Sequence, residues 1–277
     1  MMEKRIKAKK EFGQNFLVDD NVLTRIVSCV APGTEDCILE VGPGRGALSR
    51  LLAASGARFV AVEWDRDLIP FLNSEFAGND RVEIGHGDIL RVDLHQILTT
   101  RAPGRKWKVA ANLPYNISSQ VLFKFMEDCD LFEGLVLMLQ KEVGDRLTAP
   151  PGCKDYGALT VLLRLHFDIR REFIVKPGSF RPIPKVDSAV LSFTPLPAPR
   201  VEVGDEELFR RLVKGAFNQR RKTLLNSLRS AGFDDSDGSL SAALSRCNID
   251  GLRRGETLSL EEFAALSRDL YPGKSLA

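Results

Sequence analysis

Hydrophobic positions fall along the chain in short runs that alternate with helical stripes, and the alternation predicts most of its elements. Between Asp20 and Val30 the apolar residues Val22, Leu23, Ile26, Val27 and Val30 share one helical face, with Asp19 or Asp20 as cap. Cys37–Val41, Phe59–Val62, Val82–Gly85, Trp107–Ala111 and Leu135–Leu139 are short apolar runs that read as buried strands. Helical signals stand between them, through Leu48, Leu51 and Leu52 and again from Leu68 to Phe76. Continuous apolar strands alternating with helices predict an α/β fold, a parallel sheet with helices on both faces. Phe167–Val175 and Ala189–Phe193 read as a later, antiparallel strand pair. The segment Pro195-Leu196-Pro197-Ala198-Pro199 continues neither helix nor sheet and reads as an extended linker. Beyond it the pattern is helical. Phe209, Leu212, Val213, Ala216 and Phe217 share one face, Leu224, Leu225 and Leu228 another, and Ser259 with Glu262 has capping-box spacing. The expected division is therefore an α/β domain over residues 1–195 and a small all-helical domain over 196–277.

Composition adds limits. With 277 residues, 44% hydrophobic and 27% charged, the chain is an ordinary folded protein, long enough for two domains. Its longest apolar run, Leu135–Leu139, is far short of a bilayer span, which excludes a membrane-spanning enzyme. Met1 to Gln14 is basic but has no apolar h-region, so no secretory signal is expected. The five cysteines form no C-x-x-C pair and have no histidine at ligand spacing, so neither a metal nor a disulfide framework is expected, and a cytoplasmic setting fits.

The formal net charge of +2 is uninformative, but its distribution is not. From Leu208 to Phe233 there is no acidic residue, while Arg210, Arg211, Lys214, Arg220, Arg221, Lys222 and Arg229 are basic. Lys4, Arg5, Lys7, Lys9 and Lys10 form a second cluster. A solvated helix face would carry acidic partners at i,i+4, and these are missing, so the pattern points to nucleic-acid phosphates.

Glu40-Val41-Gly42-Pro43-Gly44-Arg45-Gly46 lies between a strand and a helix, where open α/β sheets bind nucleotides. Glu63, at the end of the next strand, suits a ribose diol, since one carboxylate can accept from both hydroxyls. Two ligand classes compete for such a loop. A dinucleotide site wants G-x-G-x-x-G, and the spacing here is G-x-G-x-G. S-adenosylmethionine carries no phosphate and does not need a helix N-terminus aimed at an anion. Asp88, ending the third strand, is placed to accept from an adenine amino group.

Asn112-Leu113-Pro114-Tyr115 closes the fourth strand. The exocyclic amine of a base is a poor nucleophile because its lone pair is delocalised into the ring. Two acceptors, the Asn112 side-chain oxygen and the Leu113 carbonyl, can hold both amino hydrogens and aim that lone pair at an incoming methyl. Pro114 stiffens the turn, and Tyr115 offers a face for stacking. No general base is then required, and His86, His95 and His166 read as surface or core residues.

These motifs together resemble the bacterial small-subunit (16S) rRNA adenine N6,N6-dimethyltransferase family. The resemblance is carried by Phe12-Gly13-Gln14-Asn15-Phe16-Leu17, the Glu40–Gly46 loop, Glu63, Gly87-Asp88-Ile89, residues 111–118, 177–188 and 217–224. It implies a Rossmann-like class I methyltransferase sheet and S-adenosyl-L-methionine as cofactor, with S-adenosyl-L-homocysteine as product. It implies that Gln14, Asn15 and Leu17 meet the methionine end of the cofactor. Glu40, Gly42, Gly44, Glu63, Asp88, Ile89 and Asn112 would complete the cofactor site. Phe180 would pack on the target base opposite Tyr115, and Arg220, Arg221 and Lys222 would contact RNA. The implied substrate is a pair of adjacent adenosines in a hairpin loop near the 3′ end of 16S rRNA, within an immature small subunit. A monomer is the default expectation. A related large-subunit dimethylase shares the fold and the Asn-x-Pro-Tyr chemistry, but Leu113 and the Phe217–Thr223 segment look more like the small-subunit group. A catalytically silent RNA-binding platform is disfavoured by the intact Asn112, Tyr115, Glu63 and Asp88.

Overall fold

The computed structural model describes Ala8, Lys9 and residues 12–271. Lys4, Arg5, Lys7 and Lys10 of the expected basic arm lie outside the described residues. The described residues form β1 (Phe16–Leu17), α1 (Asp20–Val30), β2 (Cys37–Val41), α2 (Ala47–Ala53), β3 (Arg58–Glu63) and α3 (Ile69–Glu75). It continues through β4 (Val82–His86), α4 (Leu94–Arg101), β5 (Trp107–Asn112), α5 (Ser118–Glu127), β6 (Phe132–Gln140) and α6 (Lys141–Thr148). Then come α7 (Ala158–His166), β7 (Phe167–Val175), β8 (Phe180–Arg181) and β9 (Ser188–Pro195). α8 (Glu206–Phe217), α9 (Leu224–Ser230), α10 (Ser239–Arg246) and α11 (Leu260–Leu270) follow.

The main sheet runs β4-β3-β2-β5-β6-β9-β7. β4, β3, β2, β5 and β6 pair in parallel, and β9 lies antiparallel to β6. Every residue of β2 is buried, as a strand covered on both faces requires. From β2 the chain winds outward through β3 and β4, then returns to β5 on the other flank. The strand order therefore switches between β2 and β5, and a crevice opens at the carboxyl ends of the strands. Four strand ends meet it: the glycine loop after β2, Glu63 on β3, Asp88 beyond β4 and Asn112 on β5. Ahead of the sheet, Asp19 caps α1 by accepting from the Asn21 and Val22 amides.

Two compact units divide the described residues. One holds the chain up to Gly144 together with Asp168–Pro195; the other holds Asp145–Phe167 and the chain from Leu196 onward. The change of unit at Pro195 falls in the proline-rich segment. Residues 145–167, assigned from sequence to the first domain, group instead with the helices. The reason is apolar burial: Leu159, Val161, Leu162, Leu163 and Leu165 of α7 are all buried, and α7 packs on α8 and α11. Within this unit Asp205 caps α8, and Ser259 and Glu262 exchange both bonds of a capping box at α11.

Candidate active site: the cleft at the carboxyl ends of the sheet

The crevice is a cleft of about 300 Å³ lined by the Phe12–Phe16 segment, Gly42, Gly44, Glu63, Trp64, Asp88, Ile89 and the Asn112–Ile117 turn. Its glycines are there for geometry. Gly44 has φ +57°, and a Cβ on it would lie 3.0 Å from the Phe16 ring, so any other residue would be strained there and would press on that ring. The Arg45 guanidinium sits over the same ring, 4.5 Å from its centroid.

Glu63 is buried at the cleft wall. Its Oε2 accepts from the Gly44 amide at 2.9 Å and its Oε1 from the Asp65 amide at 2.8 Å. Burial raises its pKa above the ordinary carboxylate value, against the lowering effect of those amides. Asp65, equally buried, accepts from Lys9 Nζ at 2.5 Å and Gln14 Nε2 at 2.9 Å. Gln14 Oε1 in turn accepts from the Lys9 amide at 2.8 Å. Both ends of the Gln14 amide are thus bound within the protein, and its effect is to fasten the segment that carries Asn15. Asp65 and Asp67 push the Lys9 ammonium up to about 12.

That segment also orients Asn112. Asn112 Nδ2 donates to the Asn15 carbonyl at 3.1 Å. A carbonyl can only accept, so the amide has one orientation, with Oδ1 left for an incoming donor. The Leu113 amide donates to the Met138 carbonyl at 3.2 Å, and its own carbonyl takes no hydrogen bond among the described residues. Tyr115 shares a 2.7 Å hydrogen bond with Ser188 Oγ, and burial raises its pKa. Asp88 Oδ1 accepts from the Leu90 amide at 3.0 Å, which fixes the carboxylate at the rim. No histidine or cysteine lines the cleft among the described residues. His86 stacks on Trp64, His95 faces Asp128 and Asp130, and His166 faces Glu206.

The side chains of three residues expected at the site point away from the cleft. Leu17 and Phe180 are cross-strand partners in the β1–β8 pair, and both side chains enter the core beneath the cleft, Phe180 at 0% exposure. Successive strand residues face opposite sides, so Phe16, one residue earlier, is the side chain of this strand that lines the cleft. In this structure Phe180 presents no face to a base. Glu40, 2% exposed, also lies off the cleft and accepts from Ser49 Oγ at 2.5 Å, tying β2 to α2. Burial, with the nearby Glu63 adding and Ser49 opposing, raises its carboxyl to about 8. In the unfolded chain a glutamate titrates near 4.5. Between these values the folded state keeps a proton that the unfolded state releases, so stability falls as pH rises through the window. Glu40→Gln cannot ionise and can still accept from Ser49. It should melt like the parent at about pH 5 and above it at about pH 9. Parallel melting curves across that range would show that Glu40 does not titrate there.

Sequence reading missed Trp64, whose 50% exposed ring lines the cleft beside Glu63, and also Phe16 and the Lys9–Asp65 latch. An exposed tryptophan directly after a strand-end carboxylate was a usable signal. The latch joins residues far apart in sequence and had none. In the helical unit Arg220, Arg221 and Lys222 lie exposed between α8 and α9. Arg220 Nη1 donates to the Lys154 carbonyl, Lys222 Nζ lies 3.5 Å from Ser230 Oγ, and no carboxylate pairs with any of the three among the described residues.

A doubly wound sheet with a glycine loop, a ribose-type carboxylate and an Asn-Leu-Pro-Tyr turn in one cleft defines an S-adenosylmethionine-dependent methyltransferase of the class I fold. The residues fit that cofactor: a glycine loop with positive φ beside the cleft, and a buried carboxylate already preset by two amides. Residues 5–266 match the profile of ribosomal RNA adenine dimethylase, and the chain belongs to that family, whose members dimethylate adenine in rRNA. It is 63% identical over 263 residues to ribosomal RNA small subunit methyltransferase A of Geobacter metallireducens, covering 95% of each chain. To the protein of the same name from Geobacter sulfurreducens it is 56% identical, covering 96% of each. The fold is also that of a dimethyladenosine transferase from Plasmodium falciparum, with a TM-score of 0.74 at 23% identity, over 91% of this chain and 95% of that one. Among the described residues no helix is long and apolar enough to cross a membrane.

Proposed function

We propose that this enzyme dimethylates N6 of two adjacent adenosines in a hairpin loop near the 3′ end of 16S rRNA, acting as a cytoplasmic monomer on an immature small subunit. The names of its high-identity relatives support the small-subunit target. Glu63 accepts from the cofactor ribose, Asp88 from its adenine amino group, and Trp64 and Ile89 flank that ring. Bound S-adenosylmethionine supplies an electrophilic methyl group on a sulfonium and is left as S-adenosylhomocysteine. Asn112 Oδ1 and the Leu113 carbonyl hold the two hydrogens of the target amine, and Tyr115 stacks on its ring. As positive charge grows on the nitrogen both hydrogen bonds strengthen, so the clamp favours the transition state over the ground state. The methylated nitrogen is acidic and releases its proton afterwards, in keeping with a cleft that no histidine lines among the described residues.

The observation that carries this reading is the Asn112 Nδ2 bond to the Asn15 carbonyl, which leaves Oδ1 to the substrate. Its test is to incubate the enzyme with labelled methyl donor and under-methylated small subunits and to map the modified nucleotides. Label confined to other RNA positions would refute it. On the helical unit, Arg221→Ala with Lys222→Ala should weaken RNA binding and flatten its salt dependence, by about 0.7–0.9 in the log–log slope per lost phosphate contact. A stability loss with an unchanged slope would make these residues a solvated face.

A further inference from the structure

The stretch between β8 and β9, residues 182–187, is tied at both ends to the parts that orient the reacting amine. At one end Arg181 pairs with Phe16, next to the Asn15 carbonyl that holds Asn112. At the other, Ser188 is bonded to the Tyr115 hydroxyl, and the Asp187 carbonyl accepts from the Lys141 amide at 2.9 Å. Pro184 is buried in the middle. Pro182 and Pro184 fix the backbone further, so this is a stiff loop with three anchors. Between the anchors it exposes Ile183 at 61% and Val186 at 44%.

Single exposed apolar side chains need no explanation, but two β-branched ones on a rigid loop beside a base pocket do. The surrounding charge is cationic. Arg181 and Lys185 are exposed, and Asp187, the one acid of the loop, is paired with Lys176 at 2.7 Å. Apolar tips framed by cations match a stacked nucleic acid, whose bases are apolar on their faces and whose backbone is anionic. They match an acidic or purely apolar partner less well.

An adenosine within a base stack cannot bring N6 to Asn112, so it must leave the stack, and the gap it leaves is costly. We propose that Ile183 and Val186 form an apolar wedge that fills this gap when the target adenosine is extruded, with Lys185 against a flanking phosphate. The two residues are positioning residues: they hold the opened state of the RNA rather than touch the reacting atoms. This inference rests on the RNA methylation reading above.

The test uses the full chain, labelled methyl donor and small subunits that lack the modification. Ile183→Ser with Val186→Ser should lower kcat by about tenfold or more, the effect of losing part of an unstacking compensation. KM for the subunits and the calorimetric affinity for S-adenosylhomocysteine should stay near the parent values. Ile183→Leu with Val186→Leu, still apolar, should restore kcat. Unchanged kcat in the serine variant, a rise confined to KM, or no rescue by leucine would overturn the wedge while leaving the methylation reading intact. A parent enzyme that transferred no methyl to these subunits would overturn both.

Discussion

Replacing Asn112 with alanine is expected to slow methyl transfer by about a hundredfold to a thousandfold, while affinity for S-adenosylhomocysteine stays close to that of the parent. The expectation follows from what the side chain is attached to. Its Nδ2 is committed to the Asn15 carbonyl, so the oxygen is held in place before any RNA arrives and no reorganisation is needed at the moment of transfer. Without it the amine keeps only the Leu113 carbonyl and can rotate its lone pair back into conjugation. Glu63, Asp88 and the glycine loop are untouched, which is why cofactor affinity should survive. Asn112→Asp separates orientation from the mere presence of an oxygen. A carboxylate keeps acceptors but has no donor for Asn15, whose carbonyl would repel it. It should therefore be as slow as the alanine variant in single-turnover transfer of labelled methyl. An aspartate variant at near-parent rate would mean that orientation by Asn15 is irrelevant, and a fast alanine variant would remove Asn112 from the chemistry.

How much of this was legible beforehand depends on whether the information was local. The seven strands of the main sheet and the helices α1, α2 and α3 could be read from their apolar runs and stripes, as could the carboxylate ending β3, the aspartate just beyond β4 and the asparagine ending β5, whereas α4 to α7 were not read. What sequence could not give is which face of a short element meets the cleft. β1 and β8 are two residues long each, and their pairing joins Leu17 to Phe180 across most of the sheet domain. A pattern of period two has no room to declare itself there, so nothing local tells that the Leu17 and Phe180 side chains face the core and the Phe16 ring the cleft. The orientation of the Glu40 side chain is hidden for a related reason. All of β2 is buried, so no alternation distinguished a carboxylate facing the ligand from one bonded to Ser49. Residues 145–167 group with the helices through apolar burial, which chain order alone does not reveal. The Lys9–Asp65–Gln14 latch joins the two ends of a long loop closure, and nothing local foretells it.

The same network makes Glu63 the second position of large effect. Glu63→Ala should weaken cofactor binding by roughly 1–3 kcal/mol, or about fivefold to 150-fold, because on the proposed reading two ribose hydroxyls lose a buried acceptor. Glu63→Gln should do no better, although it conserves volume. Both carboxylate oxygens accept backbone amides, from Gly44 and from Asp65, so any amide rotamer turns an NH2 group against one of those N–H donors. The glycine loop is then displaced as well as the ribose. The proton linkage gives an independent check. Burial holds the Glu63 pKa above its ordinary value, and the ionised form is the one that accepts from both hydroxyls. Affinity in the parent should therefore weaken as pH falls through that raised pKa and level off above it, whereas the glutamine variant should lack this titration. Calorimetry with S-adenosylhomocysteine across mildly acidic to neutral pH measures both effects. Equal affinities for parent and variants would place the ribose on some other group, and an identical pH dependence in Glu63→Gln would assign the titration to a different carboxylate.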